Sequence, residues 1–96
     1  MSKLNHTVMF KIHDDVSDDD VAKAVELLNG LGSEPGVERW VIRESIDKRK
    51  GRIIIEHSLF ESDEAYQTFR VSPAHVKVGD FMKTIADWWV GDYLED

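Results

Sequence analysis

Three side chains in this sequence have types and surroundings suited to proton chemistry: His75, His6 and Glu56. His75 follows Ser72-Pro73-Ala74, a helix opening in which serine is the N-cap and proline takes the first helical position, where its missing N–H costs nothing. The histidine then falls at the third helical position. The partial positive charge of a helix N-terminus opposes imidazolium there and favours the neutral ring, which can accept a proton at neutral pH. Val78, Met82, Ile85 and Trp89 follow His75 at spacings of three, seven, ten and fourteen, so the ring is expected to look inward along one apolar stripe. Gly79, four residues on, carries no bulk beside it and leaves room for a ligand.

His6 opens a strand read from about Asn5 to Ile12, in which it shares a face with Val8, Phe10 and Ile12 while Thr7, Met9 and Lys11 take the other. If Phe60 turns toward the helices, then Ile54, Glu56 and Ser58 turn the same way. A carboxylate between layers must be neutral, paired or hydrogen-bonded, and a histidine is a natural partner that it would orient and make more basic. Glu56 is therefore expected to pair with His6 or His75, with Phe10, Ser58 and Gly79 contributing to substrate binding. The competing account is structural, since inward histidines and single acids often only satisfy hydrogen bonds. A one-residue bulge would turn Glu56 to the other face of the sheet.

The elements that must position these residues are marked by their punctuation. Ser17 caps a helix whose first turn holds Asp18, Asp19 and Asp20, and Val21, Ala24, Val25, Leu28 and Leu31 form its buried stripe before Gly30 and Gly32 stop it. Pro35-Gly36 makes a turn, residues 37 to 45 and 52 to 60 read as an antiparallel strand pair, and Ser62 caps a short helix carrying Tyr66 and Phe69. The helix opened by Ser72-Pro73 is expected to run to about Asp87, and Trp89 to Glu95 reads as a last strand. The order is βαββααβ in a single domain spanning residues 1–96, an α+β architecture with helices on one face of a four-stranded antiparallel sheet. Ile53, Ile55 and Leu59 would lie on the opposite, uncovered face, where a second copy of the sheet is the expected cover.

Composition removes several classes of function. A chain of 96 residues buries only about two thirds of its unfolded surface, which favours help from a partner chain. The net charge of −7 argues against nucleic acid and anionic membranes as partners, and Lys48-Arg49-Lys50 beside Gly51 reads as a solvated turn. Without cysteine there is no disulfide or thiolate site, and the apolar runs are too short for a membrane span or a signal peptide, so the cytoplasm is the expected compartment. His13, Asp14, Asp15 and Asp18 to Asp20 lack the alternating ligands and turn glycine of a calcium loop and read as a solvated helix start. Neither a metal nor a cofactor is expected. Trp40, Trp88 and Trp89 are taken as core or interface anchors, and His57 as facing the layer opposite Glu56.

Several segments are familiar in their order and spacing: His6-Thr7-Val8-Met9-Phe10-Lys11, Pro35-Gly36-Val37, Phe60-Glu61-Ser62, Ser72-Pro73-Ala74-His75-Val76, Gly79-Asp80 and Asp92-Tyr93. Together they resemble the stress-responsive A/B barrel family over nearly the whole chain. The resemblance implies a ferredoxin-like protomer, a dimer closed sheet against sheet into a barrel, and a pocket between helices and sheet in each protomer. It also implies a catalytic role for His75, because a cofactor-free polyketide cyclase of the family carries its catalytic histidine in the same Pro-Ala-His-Val context, and its strand-one histidine matches His6. Two pocket tyrosines of that cyclase align with Phe69 and Leu28, and valines of its pocket wall align with Glu56 and Ser58, so a different substrate is implied. Phe69 joins the expected substrate-binding residues on this ground. The expected function is a homodimeric small-molecule-binding protein with cofactor-free acid/base chemistry at His75. The alternatives are an interaction protein with a filled pocket, or a haem-degrading or quinol-type monooxygenase. Asn5 and His75 suggest the latter, but residues 62 to 71 hold no tryptophan to complete it.

Overall fold

In the computed structural model, which describes residues 2–95, the chain forms β1 (Lys3–Ile12), α1 (Asp18–Gly30) with a 3-10 turn at Leu31–Ser33, β2 (Val37–Glu44), β3 (Ile53–Phe60), α2 (Asp63–Arg70), α3 (Pro73–Lys83) and β4 (Ala86–Glu95). This is the expected βαββααβ order. The sheet runs β2-β3-β1-β4 with every neighbouring pair antiparallel. No helix among the described residues is long and apolar enough to cross a membrane.

The helices start where their caps dictate. Ser17 Oγ accepts from Asp20 N at 3.1 Å, Ser62 Oγ from Ala65 N at 3.1 Å and Ser72 Oγ from His75 N at 3.2 Å, each satisfying one N–H that a first turn leaves without a partner. Val21, Ala24 and Leu28 are buried on α1, Leu31 on the 3-10 turn that follows it, and Val78 and Met82 on α3. They meet Val8, Phe10, Ile12, Ile54 and Phe60 of the sheet in one apolar layer. Phe60 anchors it, with Phe69 at 4.9 Å and Tyr66 at 5.2 Å between ring centres.

Pairing in the central strands settles which residues share a face. His6 lies opposite Ser58 on one side and Asp92 on the other, and Val8 lies opposite Glu56 and Val90. Directly opposed residues project to the same side, so these two rows form the floor beneath the helices. The outward row holds Met9 between Ile55 and Trp89, with Met9 44% and Trp89 65% exposed. Ile53, Ile55 and Leu59 belong to this uncovered face, as the alternation requires, and so does His57, opposite Thr7 and Val41.

Two expected boundaries are wrong. The last helix ends at Lys83 rather than near Asp87, and the last strand begins at Ala86 rather than Trp89. Thr84 closes the helix by donating its hydroxyl to the Phe81 carbonyl at 2.6 Å, and Ala86 already pairs with Ile12. The ladder with β1 runs ten residues, and those hydrogen bonds outweigh the helical spacing of Ile85 and Trp89. Trp89 therefore leaves the His75 stripe and faces outward, while Trp88 faces in and packs at a tilt against Phe10, 5.5 Å between ring centres. Trp40 is an anchor as expected: its indole N–H donates to the Leu28 carbonyl at 3.0 Å and ties β2 to the end of α1. The basic run is an exposed turn, with Arg49 folded onto Asp47 at 2.7 Å.

Candidate functional site

His6 stands at the centre of the inner sheet face with a carboxylate on each ring nitrogen. Nε2 lies 3.0 Å from Glu56 Oε2 and Nδ1 lies 2.5 Å from Asp92 Oδ1. A neutral imidazole has one N–H, whereas two ionised carboxylates on opposite nitrogens call for two, so the arrangement selects imidazolium. Burial alone would push the His6 pKa down, but the hydrogen bonds to Glu56 and Asp92 outweigh it and hold the value above the ordinary one. Glu56 faces the helix layer and partners His6 rather than His75.

His75 sits across the same space on the first turn of α3 and is held the other way. Burial lowers its pKa, with the nearby Glu56 carboxylate and a hydrogen bond to the Arg70 backbone opposing and the charges of His6 and Arg70 reinforcing. The ring packs edge-on against Phe69 at 5.0 Å. At neutral pH it is uncharged and able to accept a proton.

Between sheet and helices lies a cavity of about 240 Å³ whose walls include both histidines and Glu56. Phe10 and Gly79 line it, and a methyl group built on Gly79 would meet nothing within 4 Å. Ser58 and Phe69 do not line it. Ser58 is fully buried beneath, with its hydroxyl donating to the His6 carbonyl at 3.1 Å, and Phe69 is buried in the aromatic cluster between Phe60, Trp40 and His75. Ser58 faces the helix layer as strand alternation requires and Phe69 packs from α2 onto the sheet, but close packing keeps both from the open space.

Three residues of the site went unread in the sequence. Tyr66 lines the cavity with its ring 4.5 Å from that of His6, and burial, followed by the Asp92 charge, raises its pKa so that it remains a phenol donor. Its signal was present, because Tyr66 precedes Phe69 by three residues and shares its helix face. The hydroxyl absent at Phe69 is thus supplied one turn earlier. Asp92 reaches His6 only through the β1–β4 register, and Arg70 reaches the cavity only through the packing of α2. No local pattern announced either.

The helices on one face of a β2-β3-β1-β4 antiparallel sheet, enclosing a pocket against it, define a ferredoxin-like α+β protomer. The chain belongs to the stress responsive A/B barrel domain family, whose model matches residues 4–94. Among curated proteins no sequence matches it. Solved structures of the same fold include a dimeric ferredoxin-like protein of unknown function from Thermobifida fusca, with a TM-score of 0.87 at 12% identity over 98% of this chain and 92% of that one. A hydroxynitrile lyase from Passiflora edulis superposes with a TM-score of 0.83 at 17% identity, covering 98% of this chain and 94% of that one. A cofactor-independent oxygenase from Streptomyces nogalater gives 0.81 at 10% identity, covering 100% and 95%. At these identities the likeness is one of fold.

Proposed function

We propose that this protein is a homodimer that binds a small molecule between its helices and sheet and moves a proton on it without a cofactor. The observation that carries this reading is a pair of histidines lining one cavity with their pKa values driven apart, His6 upward and His75 downward. Opposed perturbations of two titratable groups in one pocket are the usual mark of an acid/base assignment. In this reading neutral His75 takes a proton from carbon beside a carbonyl or similar acceptor. The Tyr66 phenol donates to the oxygen on which negative charge develops, and imidazolium at His6 stabilises that charge across the tyrosine ring. His6 itself does not donate to the ligand, because both its nitrogens are engaged by Glu56 and Asp92.

The volume limits the ligand. About 240 Å³ falls below the ~300–1,000 Å³ common for drug-sized ligands, so a compact substrate suits it better than an extended polyketide. The same open volume weighs against a pocket filled by side chains. A same-fold structure described as a cofactor-independent oxygenase supports the view that this scaffold accommodates cofactor-free chemistry, and one described as a hydroxynitrile lyase that it accommodates an enzyme. For the dimer, the support is the uncovered sheet face with Met9, Trp89 and Tyr93 exposed, together with the dimeric Thermobifida fusca protein.

Carbon acids report proton abstraction before the full reaction is known. A panel of small carbonyl compounds incubated in D₂O should show catalysed exchange beside the carbonyl, slowed by about 10²–10⁴-fold in His75→Ala. Exchange at the background rate with every compound, or undiminished in the variant, would remove His75 as a base.

A further inference from the structure

Arg70 gives the cavity a polarity that the acid/base pair does not explain. It is the last residue of α2, its side chain lines the cavity, and it is otherwise exposed to solvent. None of the ion pairs among the described residues includes it. Its Nη1 makes only a long 3.4 Å hydrogen bond to Gln67 Oε1. The other charged groups at the site are arranged differently. Glu56 is held by His6 and so is Asp92, so the carboxylates are already matched while the guanidinium is not.

The remaining wall sorts itself by chemistry. Phe10, Leu28, Val78, Met82 and Trp88 give the lining its apolar part, whereas Arg70 lines the same cavity and is exposed to solvent. The first turn of α3 begins three residues after Arg70 and carries His75 into the lining of the same cavity, so the positive end of that helix adds to the local charge. A guanidinium presents parallel N–H donors that match a carboxylate, and one guanidinium in the cavity lining of a molecule of net charge −7 suits one negative charge rather than a polyanion.

We infer that the ligand of this cavity is a small monocarboxylate, its carboxylate on the Arg70 guanidinium at the mouth and its apolar body against Phe10, Val78, Met82 and Trp88, beside His75. This deepens the proposed function and rests on the cavity being a ligand site. It makes Arg70 a specificity-determining residue: the end of the ligand that is held is anionic, and the end that reacts lies deeper.

Benzoate and its neutral counterpart benzamide are compact enough to serve as probes, and their binding to the wild-type protein, Arg70→Gln and Arg70→Lys can be followed by NMR shifts of cavity residues. Because Arg70 is exposed at a helix end, these variants should fold normally, which the same spectra check. The expected result is benzoate binding on the order of tenfold tighter than benzamide to wild type. That preference should vanish in Arg70→Gln and largely persist in Arg70→Lys. Equal binding of the two probes, or a benzoate preference that survives in Arg70→Gln, overturns the carboxylate assignment while leaving the pocket intact. If neither probe perturbs the cavity at millimolar concentration, both the assignment and the ligand site fall.

Discussion

At the scale of single residues, what distinguishes this site is that two histidines lining one cavity have their pKa values pushed in opposite directions. Burial acts on both in the same direction, and only the partners differ. Two carboxylates reverse its effect at His6, whereas at His75 a more distant Glu56 and a backbone hydrogen bond do not. Titration by NMR should therefore find His6 above and His75 below the ordinary value of about 6.5. Glu56→Gln should lower the His6 pKa and cost about 1–3 kcal/mol of stability, measured by urea unfolding, through loss of a buried charged hydrogen bond. The linkage signs are opposite. The raised His6 contributes stability that is complete below about pH 6.5 and is lost as pH rises through its folded-state value. The lowered His75 makes stability fall as pH drops from about 6.5 through its own folded-state value. Activity that needs neutral His75 and charged His6 should accordingly rise on the acid side of about 6.5 and decline on the alkaline side. His6 and His75 were legible as candidates from strand alternation and from the Ser-Pro helix opening. Asp92 was not, because the residue that sets the charge of His6 lies 86 positions away in sequence.

At the scale of elements, short connections hold the pocket walls in place. Gly36 joins the 3-10 turn to β2 at a φ of +88°, its carbonyl accepts from Glu61 N at 3.0 Å, and a Cβ there would stand 2.8 Å from the Ala65 methyl of α2. Both the left-handed backbone and the close approach require glycine. Gly36→Ala should cost about 1–3 kcal/mol in thermal or urea unfolding, and by displacing α2 it should also disturb Tyr66 and Arg70 resonances. A loss of stability without any change at those residues would show that the turn does not position the wall. The caps at Ser17, Ser62 and Ser72 were readable because each acts within three residues of itself. The end of α3 was not. Ile85 and Trp89 continue the helical spacing, yet Ala86 onward satisfies its backbone against β1, and nothing local in residues 84–89 distinguishes those two outcomes.

At the scale of the whole molecule, the sheet covers its helix side and leaves Met9, Trp89 and Tyr93 exposed on the other. If that face is the contact between two copies, Trp89→Glu should yield a monomer by sedimentation or light scattering, with helix content retained and thermal stability reduced. A wild-type monomer, or a variant whose mass is unchanged, would send the search for the dimer contact elsewhere. The sequence by itself determined the element order, the helix starts, the inward face of β1 and the candidacy of His6, His75 and Glu56, because caps, turns and strand alternation act over a few residues. Tertiary structure alone decided that Glu56 and Asp92 share His6, that Tyr66 and Arg70 wall the cavity, that Ser58 and Phe69 lie beneath it, and that Trp89 faces out. Those outcomes depend on strand register and helix packing, which bring together residues far apart in the chain and have no signature in local spacing.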